Sequence, residues 1–147
     1  MASVTAVCIS NEKGTVKTPV SEITIKENHG IIGDAHAGDG HKQVSLLAAE
    51  SVDKLRDRMP NLEPGAFAEN ILTFGIHLYE LPVGARLHIN DAILEVTQTG
   101  KECHNESCAI KKQTGDCVMP REGIFASVIK DGKIKPGDRI ELKQQGE

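Results

Sequence analysis

The chain has 147 residues, with 17 Lys and Arg against 21 Asp and Glu and a formal net charge of −4. That balance argues against a nucleic-acid binder, as does the shortage of aromatic rings to stack on bases: no Trp, one Tyr and three Phe. The length suits one domain, spanning 1–147, with a core of Val, Ile, Leu and Ala.

The N-terminal stretch MASVTAVCIS lacks the basic region and long apolar run of a secretory signal. No stretch approaches the roughly 18 consecutive apolar residues that would cross a membrane. A cytoplasmic protein with reduced thiols and no membrane partner is therefore expected. SVTAVCIS alternates, with Val4, Ala6 and Cys8 on one face and Thr5, Val7 and Ile9 on the other, and reads as a strand. Cys8 is then most simply a small buried hydrophobe. SEITIKE reads as a second short strand.

One helix is expected, over 45–59 (SLLAAESVDKLRDRM). Ser45 would be its N-cap, Ala48, Val52, Leu55 and Met59 its apolar face, and Pro60 its stop. Strand signals return afterwards. RLHIN and AILEVTQ flank a hairpin signal at Asn90-Asp91, and GIFASVIK meets a second at Asp131-Gly132 before KI and KPGDRIEL. Short strands at close spacing with one main helix and short helical turns predict a mainly β fold, a closed or nearly closed barrel. Closure removes exposed strand edges.

Three stretches carry polar residues in unusual settings. In ENHGIIGDAHAGDGHKQVSLL, Gly30, Gly33, Gly38 and Gly40 alternate with His29, Asp34, His36, Asp39, His41 and Lys42. Glycine lets backbone N–H groups approach a ligand closely, and Lys42 and His41 add charge suited to an anion. The plain alternative is a turn-rich connection with solvated histidines. In PGAFAENILTFGI, Glu69 and Asn70 interrupt an apolar run. They either satisfy backbone groups within a bend or face a ligand.

The third stretch, GKECHNESCAIKKQTGDCVMPREGIF, holds three of the four cysteines: Cys103, Cys108 and Cys117. Cys103 follows the strand AILEVTQ, with Lys101 and His104 beside it and Arg121 further on. Cationic neighbours lower a thiol's pKa, and the resulting thiolate can bind a soft metal or carry sulfur as a persulfide. Zinc usually takes paired ligands two to four residues apart. Cys103, His104, Cys108 and Cys117 offer one such spacing without a second, so zinc is the weaker cofactor, and no Cys-x-x-Cys redox pair is present.

GIIGDAHAGDGHKQVSLLAAES, GAFAENILTFGI, LPVGARLHINDAILEVTQTGKECH and GDCVMPREGIFASVIKDGKIKPGD together resemble the MOSC family. These domains take their name from the C-terminal region of molybdenum-cofactor sulfurases, and the resemblance, to the short stand-alone bacterial branch, runs from about residue 4 to 142. It implies a β-barrel and a loop cysteine, after a strand, that handles sulfur or ligates molybdenum. The LEVTQTGKEC match places that residue at Cys103, with Cys108 as the competing position and Cys117 as a further thiol.

The resemblance also implies binding of molybdenum cofactor (molybdopterin). Gly33, Asp34, His36, His41, Lys42, Asn70, Lys101, His104 and Arg121 are the candidate contacts. The implied partners are the pterin itself and a sulfur donor or cofactor-biosynthesis protein. The pyridoxal-phosphate domain of full sulfurases and the N-terminal region of amidoxime-reducing relatives have no counterpart in the sequence. The chain therefore reads as a sulfur-transfer or N–O-reducing module, or as a non-enzymatic carrier of a pterin, oxyanion or sulfur.

Overall fold

The computed structural model describes residues 2–10, 17–34, 37, 43–53, 64–65, 69–99 and 123–143. Among them the fold is mainly β with one short helix. The strands in chain order are β1 (Ser3–Ile9), β2 (Thr18–Val20), β3 (Ile23–Lys26), β4 (Gly30–Ile31), β5 (Val44–Ala48), β6 (Ile71–Phe74), β7 (Arg86–Ile89), β8 (Ala92–Thr99), β9 (Ile124–Lys130), β10 (Gly132–Ile134) and β11 (Ile140–Lys143). The helix α1 (Ala49–Asp53) follows β5 directly, and a 3₁₀ turn covers Leu78–Glu80. No described helix is long and apolar enough to cross a membrane.

Eight strands form one sheet in the order β11-β7-β8-β9-β5-β6-β1-β2, and a second, smaller sheet has the order β10-β3-β4. Every pairing is antiparallel except β5 with β6. The core is aliphatic, as composition dictates: Ile25, Ile31, Leu46, Ile71, Leu87, Ile89, Leu94 and Ile124 are all fully buried. A bulge between Val4 and Ala6 in β1 breaks the strict alternation, so Val4 and Val7 share the main core cluster while Ala6 and Cys8 are buried outside it.

Two expectations are corrected. The 45–59 helix begins later, because Val44–Ala48 is a strand buried on both faces between β6 and β9. A short apolar run fits such a strand as well as a helix, and sheet burial decides it here. Ser45 is therefore not an N-cap. Residues 54–59 of the expected helix lie outside the described residues.

The Asp131-Gly132 hairpin does not form either, since β10 leaves β9 and pairs with β3. Gly132 is needed for space: a Cβ there would stand 2.7 Å from the Ala92 Cβ and 2.8 Å from its N. By contrast Asn90-Asp91 does join β7 to β8, with Asn90 in the left-handed region at φ 56°.

Of the expected barrel, the structure shows the mainly β architecture. The strand ladders form two sheets that are not closed, with β11 and β2 at the margins of the larger one. One isolated bridge, Ser3 with Arg139, joins β1 to the segment entering β11. It is flanked by Val4 N–H to Asp138 O (2.8 Å), Gly137 N–H to Val4 O (2.7 Å) and Ile140 N–H to Ala2 O (3.0 Å). The pairing goes no further because β2 pairs with β1 over Val7–Ile9. Pro19 in β2, and Glu141 and Lys143 in β11, suit these strands to margins open to solvent.

Asp138 secures that seam. Its Oδ2 accepts hydrogen bonds from Lys135 N–H (2.8 Å) and the Asn90 amide (2.7 Å), and its Oδ1 pairs with Lys135 Nζ (3.0 Å). Burial pushes the Asp138 carboxyl up, but these hydrogen bonds and the lysine charge outweigh it and hold the group below its usual range. A depressed folded-state pKa contributes stability that is complete above the unfolded value, about 3.9, and is lost as pH falls through the folded one. Acid titration of the unfolding free energy should therefore show a decline below about pH 4 that is shallower in Asp138→Asn. Equal slopes in the two proteins would remove Asp138 from this role.

Candidate functional site

Asn70, immediately before β6, is fully buried. Its Oδ1 accepts hydrogen bonds from Ser45 N–H (3.0 Å) and Ser45 Oγ–H (3.1 Å), and its Nδ2 donates to Cys8 O (3.1 Å). Its backbone N–H is shared between Ser45 O (2.9 Å) and Ser45 Oγ (3.0 Å), and its carbonyl accepts Cys8 N–H (2.7 Å). One side chain thus ties β6 to β5 on one side and to β1 on the other. Of the two roles the sequence allows, these contacts are those of a residue satisfying backbone groups within a bend.

Beside it, Glu69 is also fully buried and accepts Gly65 N–H at Oε2 (2.8 Å). Gly65 O in turn accepts Lys17 N–H (2.9 Å). The Lys17 ammonium donates to Asp34 Oδ1 (2.8 Å) and Ser10 Oγ (3.2 Å), and Ser10 N–H donates to the same Asp34 oxygen (3.1 Å). The Lys17 and Asp34 side chains are both 0% exposed, a buried ion pair whose loss of either partner would strand a charge.

Cys8 feels the charges of Glu69 and Lys17. Burial pushes its thiol up, Glu69 adds to that, Lys17 opposes it, and the net result is a value pushed up to about 12. Such a thiol is a poor nucleophile at neutral pH. Cys8 is a packing residue, as the alternation of β1 indicates.

The cluster sits next to the attachment points of the cysteine-rich segment. Val7, Ile71, Leu46, Ile124 and Thr99 form one row of paired residues across β1, β6, β5, β9 and β8. Cys8, Asn70 and Ser45 are each one residue from that row, and Ser45 pairs directly with Phe125 of β9. Thr99 ends β8 and Ile124 begins β9, so the two ends that flank residues 100–123 both lie at this level of the sheet.

Of the residues singled out in the sequence, Gly33 is exposed at φ +90°, with nothing within 4 Å of where a Cβ would stand. Asp34 is buried in its ion pair with Lys17, and Asn70 in its network with Ser45 and Cys8. Cys103, Cys108, Cys117, His36, His41, Lys42, Lys101, His104 and Arg121 lie outside the described residues. Among the described residues, no group of three or more His, Cys, Asp or Glu could hold a metal ion. A separate groove of about 470 Å³, between the smaller sheet and the Asn90-Asp91 turn, is lined by Thr24, Lys26, Asp91 and Lys133 and includes none of the cluster.

Sequence reasoning missed Lys17 and Ser10. Lys17 is one lysine in a polar stretch, and its partner is 17 residues away in a glycine-rich turn, so no periodicity marks it.

A family model for the MOSC domain matches residues 33–141. Protein YflK of Bacillus subtilis (strain 168) is 24% identical over 147 residues, covering 92% of this chain, which spans 66% of that relative's length. Among solved structures, the YuaD protein of Bacillus subtilis superposes with a TM-score of 0.80 at 20% identity, covering 98% of this chain and 97% of that one. YiiM of Geobacillus stearothermophilus gives a TM-score of 0.74 at 20% identity, covering 99% and 77%. At these identities the superpositions speak to the fold alone.

Asn70→Ala should destabilise the protein by about 1–3 kcal/mol for each buried group it orphans, chiefly Ser45 N–H and Cys8 C=O, measured by urea unfolding. A change within about 0.5 kcal/mol would show that water or a rearranged neighbour replaces the amide. Iodoacetamide at pH 8 should leave Cys8 unlabelled in the folded protein and label it after denaturation. Labelling of Cys8 at the rate of an unfolded peptide would contradict its burial.

Proposed function

Because the chain belongs to the MOSC domain family, we propose that it is a single MOSC domain that binds molybdenum cofactor and handles sulfur, or ligates molybdenum, through Cys103. The observation that carries this reading is the placement of Thr99 and Ile124, which root the cysteine segment one strand from the Ser45–Asn70 network. A reactive thiol needs a rigid frame beneath it, and buried, mutually hydrogen-bonded polar groups supply one.

Within that frame the Cys103 thiolate is the soft ligand or nucleophile, with Cys108 as the competing thiol. Lys101, His104 and Arg121 keep it ionised and grip the anionic pterin, Arg through its planar fork. Gly33 fits such a ligand: its open α-carbon leaves room for a phosphate to approach the backbone. His36, His41 and Lys42 follow in the same loop and add charge. Asp34 and Asn70 have their described contacts within the protein, so we assign them to shaping the site rather than to touching the cofactor. Bound cofactor would supply the metal for sulfur exchange or for reduction of an N–O bond.

Elemental analysis of anaerobically purified protein, with Cys103→Ser and Cys108→Ser beside it, tests the assignment. Molybdenum in the wild type that is lost in the Cys103 variant alone is the expected result for a ligating thiolate. Extra mass of one sulfur atom on Cys103, without bound metal, is the result expected for a persulfide carrier. Zinc near one per chain, lost in either variant, would replace this reading with a zinc-stabilised module. Neither metal nor added sulfur would replace it with a non-enzymatic binding domain.

A further inference from the structure

We propose that Gly65 and Glu69 are positioning residues for Lys17, and that through the Lys17–Asp34 pair they set the backbone at Gly33–Asp34. The inference deepens the proposed cofactor site and rests on that reading for its functional consequence, though not for its geometry.

Three contacts form the chain of positioning. Glu69 Oε2 accepts the Gly65 N–H at 2.8 Å. This holds Gly65 in the left-handed region at φ +92°. Gly65 in turn abuts the Lys17 backbone: its carbonyl accepts Lys17 N–H at 2.9 Å, and a Cβ on it would stand 2.0 Å from Lys17 O and 2.6 Å from Lys17 C. That gap excludes every side chain, and the obstacle is backbone that cannot rotate away. From Lys17 the ammonium reaches Asp34 Oδ1 at 2.8 Å, and Ser10 N–H converges on the same oxygen.

Asp34 is the residue after Gly33, and its own N–H donates to Ile31 O at 3.1 Å. Its carboxylate therefore anchors the start of the glycine- and histidine-rich stretch. The glycine at 65 is fixed by the space that Lys17 occupies. A displaced Lys17 would carry Asp34, and with it the open backbone of Gly33.

The test is read first in cofactor-free protein. A buried, ion-paired ammonium exchanges its protons slowly enough to give a resolved Lys17 Nζ resonance by NMR. Gly65→Ala should shift or abolish that resonance and move the Gly33 and Asp34 amides, while amides of the β7–β8 hairpin stay in place. Gly137→Ala is the control, because Gly137 has a similar φ of +94° with nothing within 4 Å. It imposes the same backbone strain without the collision and should leave Lys17 unchanged.

If Gly65→Ala does not fold, Glu69→Ala and Glu69→Gln decide the question. The first removes the acceptor for Gly65 N–H and should shift the Lys17 resonance. The second restores an acceptor oxygen and should return the resonance most of the way. An unaltered Lys17 resonance in folded Gly65→Ala, or in both Glu69 variants, would overturn the proposal.

A second arm addresses the site. Molybdenum retention should fall roughly 10- to 100-fold in Gly65→Ala, the usual cost of losing a support behind a ligand set. A wild type that retains no metal would count against the cofactor reading while leaving the positioning of Lys17, read by NMR, intact. A wild type that retains it equally with Gly65→Ala would overturn the link between the two.

Discussion

The architecture turns on a buried amide. Strands β5 and β6 run parallel within a sheet whose other described pairings are antiparallel, so a crossover must connect them, and α1 begins it. The chain then re-enters the sheet between β5 and β1, where water cannot satisfy its polar groups. Asn70 stands at that point of entry. It closes hydrogen bonds to Ser45 on one side and Cys8 on the other, residues 25 and 62 positions away. An apolar residue there would take a hydrogen-bond partner from both neighbours, and a charged one would bear the full cost of desolvation. Three strands are thereby held in register by a single side chain.

The second buried element, the Lys17–Asp34 pair, serves a different end. A fully buried ion pair is seldom the most stable solution, since the cost of desolvation rivals the attraction gained. What it does provide is direction. An aliphatic contact between the stretch before β2 and the turn after β4 would tolerate sliding. An ammonium shared between a carboxylate and a hydroxyl tolerates little. Gly65 and Glu69 extend that constraint to the approach to β6, so loops distant in sequence meet in one defined arrangement.

Much of this could be read from the residues. Aliphatic composition, short strands, the buried Cys8 and the Asn90-Asp91 turn follow from alternation and turn chemistry, which are local. The errors share one cause. VSLLA satisfies helix and strand templates equally, and only burial on both faces between β6 and β9 selects the strand. Asp131-Gly132 has the composition of a tight turn, yet Gly132 is there because Ala92 leaves no room for a side chain. Lys17 looks like any surface lysine until a distant turn supplies its partner. Each depends on contacts between remote segments, which no pattern within a window contains. The cysteine cluster is visible as a motif, while the level at which its segment joins the sheet needs the register of β8 with β9 and of β9 with β5.

The seam between Ser3 and Arg139 has a consequence for how the chain is made. Synthesis proceeds from the N-terminus, so β1 emerges before its partners and can pair at first with β2 alone. Its main partner, β6, appears some sixty residues later, and the segment that meets Ser3 some sixty residues after that. Until then an apolar strand with an open edge must wait. Topologies dominated by such distant pairings fold slowly and are exposed to mispairing while incomplete. The joining at Ser3 thus waits for the segment around Arg139, and a nascent chain halted before that segment emerges has β1 to shelter.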